Sequence, residues 1–78
     1  MSNSGIEVVL ASDSDYEELT VEIFYNGKFV ALLNQDDGER NLKIEFPGEG
    51  LDETTILRKI DLAILEQSLE LAKTKIKG

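Results

Sequence analysis

The strongest local signal is a β-hairpin in residues 20–33, where two apolar runs flank Asn26-Gly27: Thr20-Val21-Glu22-Ile23-Phe24-Tyr25-Asn26-Gly27-Lys28-Phe29-Val30-Ala31-Leu32-Leu33. Both turn residues tolerate the positive φ angles of a type I′ turn. Such a two-residue loop fixes which residues face each other. It predicts the pairs Tyr25–Lys28, Phe24–Phe29, Ile23–Val30, Glu22–Ala31 and Val21–Leu32.

Side chains alternate between the two faces of a strand, so this register assigns every hairpin residue to a face. One face is predicted to be core and carries Val21, Ile23, Val30 and Leu32. The other face is more apolar than a solvated face usually is, and it carries Thr20, Glu22, Phe24, Phe29, Ala31 and Leu33.

Two further strands are predicted by alternation on either side of the hairpin. In residues 6–11 one face carries Ile6, Val8 and Leu10. In residues 42–46 the inward positions are Leu42, Ile44 and Phe46. Pro47-Gly48-Glu49-Gly50 ends this last strand, because proline donates no ladder hydrogen bond and glycine favours a bend.

The C-terminal residues predict a helix over Asp61–Lys77, with Asp61 as N-cap and lysines near the negative C-terminus. Its apolar stripe is Leu62, Leu65, Leu69, Ala72 and Ile76. Residues 54–60 are rich in β-branched side chains and are interpreted as a fifth strand. The alternative is one longer helix that starts from an Asp52 cap.

The fold class expected from these elements is α+β: an antiparallel β-meander of four to five strands with one C-terminal helix packed on one face. Seventy-eight residues suffice for one small domain. We expect a flexible N-terminus over residues 1–5 and a single α+β domain over residues 6–78. The pattern leaves open which sheet face the helix covers.

Composition excludes several classes of function. The chain has no His and no Cys, and its sixteen acidic and eight basic residues give a net charge of −8. Thiolate and imidazole catalysis are therefore excluded, and an acidic surface does not suit nucleic acid. No apolar run is long enough to span a membrane, and the N-terminus does not resemble a secretory signal. We predict a non-enzymatic protein without a cofactor.

Acidic residues are concentrated before residue 56. Residues 1–55 hold thirteen acidic and three basic side chains. Two clusters stand out: Asp13, Asp15, Glu17 and Glu18, and then Asp36, Asp37 and Glu39. Neither has the spacing of a calcium-binding EF-hand loop, so no metal site is predicted. The clusters either keep the protein in solution or attract a basic partner.

Phe24 and Phe29 face each other in the predicted hairpin, so their rings should touch. If the helix covers the Val21/Ile23 face, the pair lies on an open face, where it suits a protein partner or a homodimer contact. Otherwise the rings belong to the core. A half-exposed pair that only stabilises the sheet, or a sheet curled enough to bury both faces, is also possible.

The chain resembles a family of small stand-alone acidic bacterial proteins of the immunity-protein type, which neutralise a partner toxin. The residues that carry the resemblance are residues 6–9, 15–19, 22–32 and 44–48, including Asp15-Tyr16-Glu17-Glu18-Leu19 and Ile44-Glu45-Phe46-Pro47-Gly48. The resemblance implies a cytoplasmic protein that binds and blocks one toxin. It implies no catalytic residues.

The expected function is therefore binding and inhibition of a basic protein partner, a toxin or nuclease. The residues expected to bind it are Asp13, Asp15, Glu17, Glu18, Asp36, Asp37, Glu39, Phe24 and Phe29. One alternative is a phage-type inhibitor that mimics nucleic acid in the site of a nuclease or surveillance complex. Another is a small homo-oligomeric structural or regulatory subunit that pairs through the Phe24/Phe29 face.

Overall fold

The protein folds as a four-stranded antiparallel sheet with one C-terminal helix. The structure is a computed structural model, and it describes residues 5–12, 14, 16–38 and 40–77. The strands are β1 (Ile6–Ala11), β2 (Thr20–Tyr25), β3 (Lys28–Asn34) and β4 (Lys43–Glu45), and the helix is α1 (Leu62–Ile76). The sheet order β1-β2-β3-β4 is that of a meander. The predicted α+β class is confirmed. The flexible terminus predicted over residues 1–5 stays a prediction, because residues 1–4 lie outside the described part.

The hairpin turn forms as predicted. Asn26 and Gly27 both have positive φ angles, 53° and 82°. Tyr25 lies opposite Lys28 and Phe24 lies opposite Phe29. The local conformational preference of these two turn residues therefore fixes the start of the ladder.

Beyond Phe24 the predicted register is wrong, because a β-bulge intervenes. Ile23 faces Ala31 rather than Val30, and the pairs Glu22–Leu32 and Val21–Leu33 follow. Val30 is the extra residue and is buried. The bulge moves Ala31 and Leu33 to the face of Val21 and Ile23, and it moves Leu32 to the opposite face.

The helix covers the Val21/Ile23 face. The buried cluster on that side comprises Val21, Ile23, Val30, Ala31, Leu33, Ala72 and Ile76. Contacts of α1 are most extensive with β1, fewer with β2 and fewest with β3. The helix bounds match the prediction, with Asp61 and Lys77 as its caps, although the Asp61 side chain makes no capping hydrogen bond.

Two positions predicted to be inward are exposed. Phe46 is 66% exposed because β4 ends at Glu45, so the strand alternation no longer sets its direction. Leu62 is 69% exposed at the first turn of α1, and the buried stripe of the helix instead includes Ser68. The Ser68 hydroxyl donates to the Ile64 carbonyl within the helix, at 2.6 Å, which satisfies the buried oxygen.

The predicted fifth strand does not form. Residues Glu53–Thr55 make a 3₁₀ turn, and only Ile56 pairs with the sheet, through an isolated parallel bridge to Phe29. The alternative of one long helix from Asp52 is also wrong. Asp52 does act as a cap, but for the short turn, since its carboxylate accepts from the Thr54 N–H at 3.0 Å.

Candidate functional site

The candidate site is the sheet face opposite α1, which we call the open face. Strand register places two lateral rows of side chains over its middle, Glu7–Phe24–Phe29 and Val9–Glu22–Leu32–Glu45. A third row at one end of the sheet contains the pairs Ala11–Thr20 and Asn34–Lys43. Carboxylates alternate with apolar groups in the second row.

Phe24 and Phe29 make the predicted contact. Their ring centroids are 5.7 Å apart at an interplanar angle of 67°, an edge-to-face arrangement. Both residues are half-buried, and the helix lies on the other side of the sheet. The interpretation of the pair as core beneath the helix is therefore wrong.

Glu7 and Glu22 are the described carboxylates closest in register to the aromatic pair. Glu7 lies directly opposite Phe24 across β1 and β2. Glu22 precedes Phe24 by two residues and so shares its face. The two ion pairs between described residues are Arg58–Glu53 and Lys73–Glu70, so neither of these carboxylates is neutralised by one of them.

Glu45 is held in place at the far edge of the open face. The Tyr16 hydroxyl donates to one carboxylate oxygen of Glu45 at 2.8 Å, and the Asn34 amide donates to the other. Tyr16 belongs to the β1–β2 loop, so this contact draws the loop over the sheet end that contains Thr20 and Asn34. Both of those polar residues are buried.

The described parts of the two predicted acidic clusters meet. The Asp36 carboxylate accepts from the backbone N–H groups of Glu17 and Glu18, at 3.4 and 3.1 Å. The Gln35 amide also donates to the Leu19 carbonyl at 3.1 Å. We call this group, Glu17, Glu18, Asp36 and Asp37, the acidic junction. All four residues are exposed.

The acidic junction does not surround the aromatic pair, although the sequence predicts that both belong to one partner-binding site. It lies where β2 begins, whereas Phe24 lies four residues further along, about 13 Å away at about 3.3 Å per residue. Asp13, Asp15 and Glu39 lie outside the described residues. Glu7, Glu22 and Glu45 were not among the predicted site residues, although their alternation with apolar residues in strands was a usable signal.

Other carboxylates serve the connection between β4 and α1. Arg58 donates through Nε and Nη2 to the two carboxylate oxygens of Glu53, at 2.9 and 2.7 Å, and also to the carbonyls of Pro47 and Gly48. The hydrogen bonds from Arg58 lower the pKa of Glu53, and the same pairing raises the pKa of Arg58. Hydrogen bonds from Thr54 lower the pKa of Asp52.

Comparisons with family models, with curated proteins and with solved structures found no match to the chain. Among the residues that the structure describes, no cluster of three or more acidic side chains could hold a metal ion. Within the same residues, no helix has the length and apolar character needed to cross a membrane.

Proposed function

We propose that this chain is a non-enzymatic binding protein that inhibits a basic protein partner, and that the open face is its contact surface. The observation that carries the proposal is the Phe24–Phe29 pair, which lies half-buried on the face of the sheet opposite α1. Glu7 and Glu22 flank the pair, in two rows that contain no basic side chain.

The arrangement combines an apolar centre with charged neighbours. Aromatic rings at the centre of an interface exclude water and supply much of the binding free energy. Carboxylates beside them favour a basic partner and fix its orientation. The acidic junction, at the other end of the sheet, extends the negative field and would raise the rate of association.

A toxin or a nuclease is the kind of partner that we propose. An enzyme that acts on nucleic acid needs a basic cleft to neutralise phosphates, and such a cleft is complementary to an acidic surface. The resemblance to immunity proteins supports a toxin as the first partner to test, and a cytoplasmic location goes with that proposal. If nucleic acid competes with this chain for its partner, the inhibitor acts as a nucleic-acid mimic.

The first experiment is a pull-down with the tagged chain from native lysate, washed at low and at high salt, with bound proteins identified by mass spectrometry. We expect one stoichiometric basic protein, whose retention falls as salt rises. The purified pair is then studied by surface plasmon resonance. An acidic partner, or an affinity independent of salt, would contradict the proposal.

Paired variants locate the contact. Glu7→Gln with Glu22→Gln should slow association by about tenfold and reduce its salt dependence, because the steering charge is lost. Phe24→Ser should mainly accelerate dissociation.

The controls are Glu66→Gln and Leu62→Ser on exposed helix positions, which should leave both rates unchanged. Circular dichroism checks that each variant is folded. Equal effects of the controls and the open-face variants would place the contact elsewhere.

A further inference from the structure

The outer edge of the sheet offers a second interaction surface, distinct from the open face. Within the part of the chain that the structure describes, the strand partner of β1 is β2, and their register is unbroken over six residues. Edge strands usually carry a proline, a lysine or a bulge that prevents pairing with another chain. β1 has none of these, and Glu7 is its one charged residue.

An apolar groove lies beside this edge on the helix side. It has a volume of 600 Å³ and is lined by Val8, Leu10, Leu71, Thr74 and Lys75. Leu10 is 42% and Leu71 is 44% exposed. Among these lining residues only Lys75 is charged, in a chain with a net charge of −8. The edge and its groove are therefore sparsely charged compared with the rest of the molecule.

Backbone geometry shows which groups point away from β2. The Asn26 N–H donates to the Gly5 carbonyl at 2.9 Å, and this pair continues the β1–β2 register. Hydrogen-bonded pairs alternate in an antiparallel ladder, so Glu7 and Val9 direct their backbone groups toward β2. The N–H and C=O groups of Val8 and Leu10 then point outward from the sheet.

We propose that the chain pairs with a second copy of itself along β1, around a twofold axis that passes through Val9 and is perpendicular to the sheet. In this register Val8 lies opposite Leu10 of the second copy, and Leu10 lies opposite Val8. The outward groups of both residues then form four intermolecular hydrogen bonds. The two helices lie on the same side, so the Val8, Leu10 and Leu71 side chains of both copies close the groove.

The distribution of charge allows a second copy in this arrangement, although each chain carries a net charge of −8. Glu7 lies opposite Ala11 of the other copy, so no two carboxylates face each other in the new ladder. Antiparallel pairing also places the two acidic junctions at opposite ends of the joined sheet. The repulsion between the copies is thereby kept small, while the sparsely charged edge is covered.

Sedimentation equilibrium tests the assembly. We expect twice the chain mass of 8.7 kDa at high micromolar concentration. Leu10→Lys introduces a charge at the new ladder and should give a folded monomer at the same concentration. Leu62→Lys changes a leucine that is also exposed but does not line the groove, and this variant should remain dimeric. A monomeric wild-type chain would overturn the proposal and leave the edge to a strand of a different protein.

Cross-linking tests the register, because the chain contains no cysteine of its own. Val9→Cys should form a disulfide dimer on oxidation, since Cα atoms of a non-hydrogen-bonded pair lie about 4.5 Å apart. Glu7→Cys should not, because the two copies of residue 7 would lie about 13 Å apart along the strands. Efficient cross-linking through residue 7 and not through residue 9 would overturn the arrangement. The arrangement would also be overturned if Phe24→Asp dissociated the dimer while Leu10→Lys left it intact. The two copies would then pair through the open face.

Discussion

At the scale of single residues, Gly5 shows how a backbone conformation becomes a requirement for one amino acid. Its φ angle is +77°, and its carbonyl accepts the Asn26 N–H. A Cβ atom added at Gly5 would clash with the Asn26 side-chain oxygen. The Asn26 side chain can rotate away. The positive φ angle therefore accounts for most of the loss in free energy of unfolding that any substitution at Gly5 would cause.

We therefore expect Gly5→Ala to lower the free energy of unfolding by about 1–2 kcal/mol, the usual cost of a left-handed conformation for an L-residue. Gly48→Ala is the matched control, since Gly48 has no positive φ angle and a Cβ there would meet nothing within 4 Å. Urea denaturation followed by circular dichroism measures both variants. Equal losses in the two would refute the role assigned to the backbone of Gly5.

At the scale of elements, the bulge in β3 determines what each sheet face presents. Residues 29–33 are all apolar, so apolar side chains would be buried whichever set of alternate residues faced the helix. The sequence pattern therefore does not decide between the two registers. In the folded chain Ala31 is fully buried on the helix side, in one cluster with Ala72. Small residues at such positions allow a close approach of helix and sheet.

Ala31→Leu tests this assignment. We expect it to lower the free energy of unfolding by about 1–3 kcal/mol, because extra methyl groups have no space beneath the helix. Ala63→Leu, on the exposed side of α1, should change stability by less than about 0.5 kcal/mol. If Ala31→Leu were as well tolerated as Ala63→Leu, the unbroken register predicted from the turn would describe the hairpin better.

At the scale of the whole molecule, the position of α1 separates two surfaces of different character. The helix runs between the groove at β1 and a second groove of 170 Å³ lined by residues of β3, β4 and α1. Apolar grooves therefore flank the helix, and the carboxylates of β1, β2 and β4 face the other way. The open face is suited to a basic partner, and the β1 edge is suited to another copy of the chain.

Salt should affect the two proposed assemblies in opposite directions. Raising sodium chloride from about 0.05 M to about 0.5 M should weaken the complex with a basic partner, because it screens the attraction between unlike charges. It should strengthen the self-pair, whose copies repel each other and are joined by backbone hydrogen bonds and apolar contact. Sedimentation equilibrium at both salt concentrations measures the dissociation constant of the partner complex and that of the self-pair. A self-pair that dissociates as salt rises would contradict the β1 arrangement.

The sequence by itself determined the features that depend on neighbouring residues. Asn26-Gly27 accounts for the turn and the Phe24–Phe29 contact, and the stripe before Ile76 accounts for the helix and its bounds. Turn dihedral angles and side-chain periodicity are local properties, so they can be predicted from a single amino-acid sequence.

The tertiary structure alone decided which face α1 covers, where the register shifts at Val30, and how Asp36 joins the β1–β2 loop. Each of these depends on residues distant in sequence that compete for the same space or the same hydrogen bond. The face beneath the helix was selected by packing, because both faces of β3 are apolar enough to be buried. The position of Phe24 on an open face, and with it the candidate site, follows from that choice.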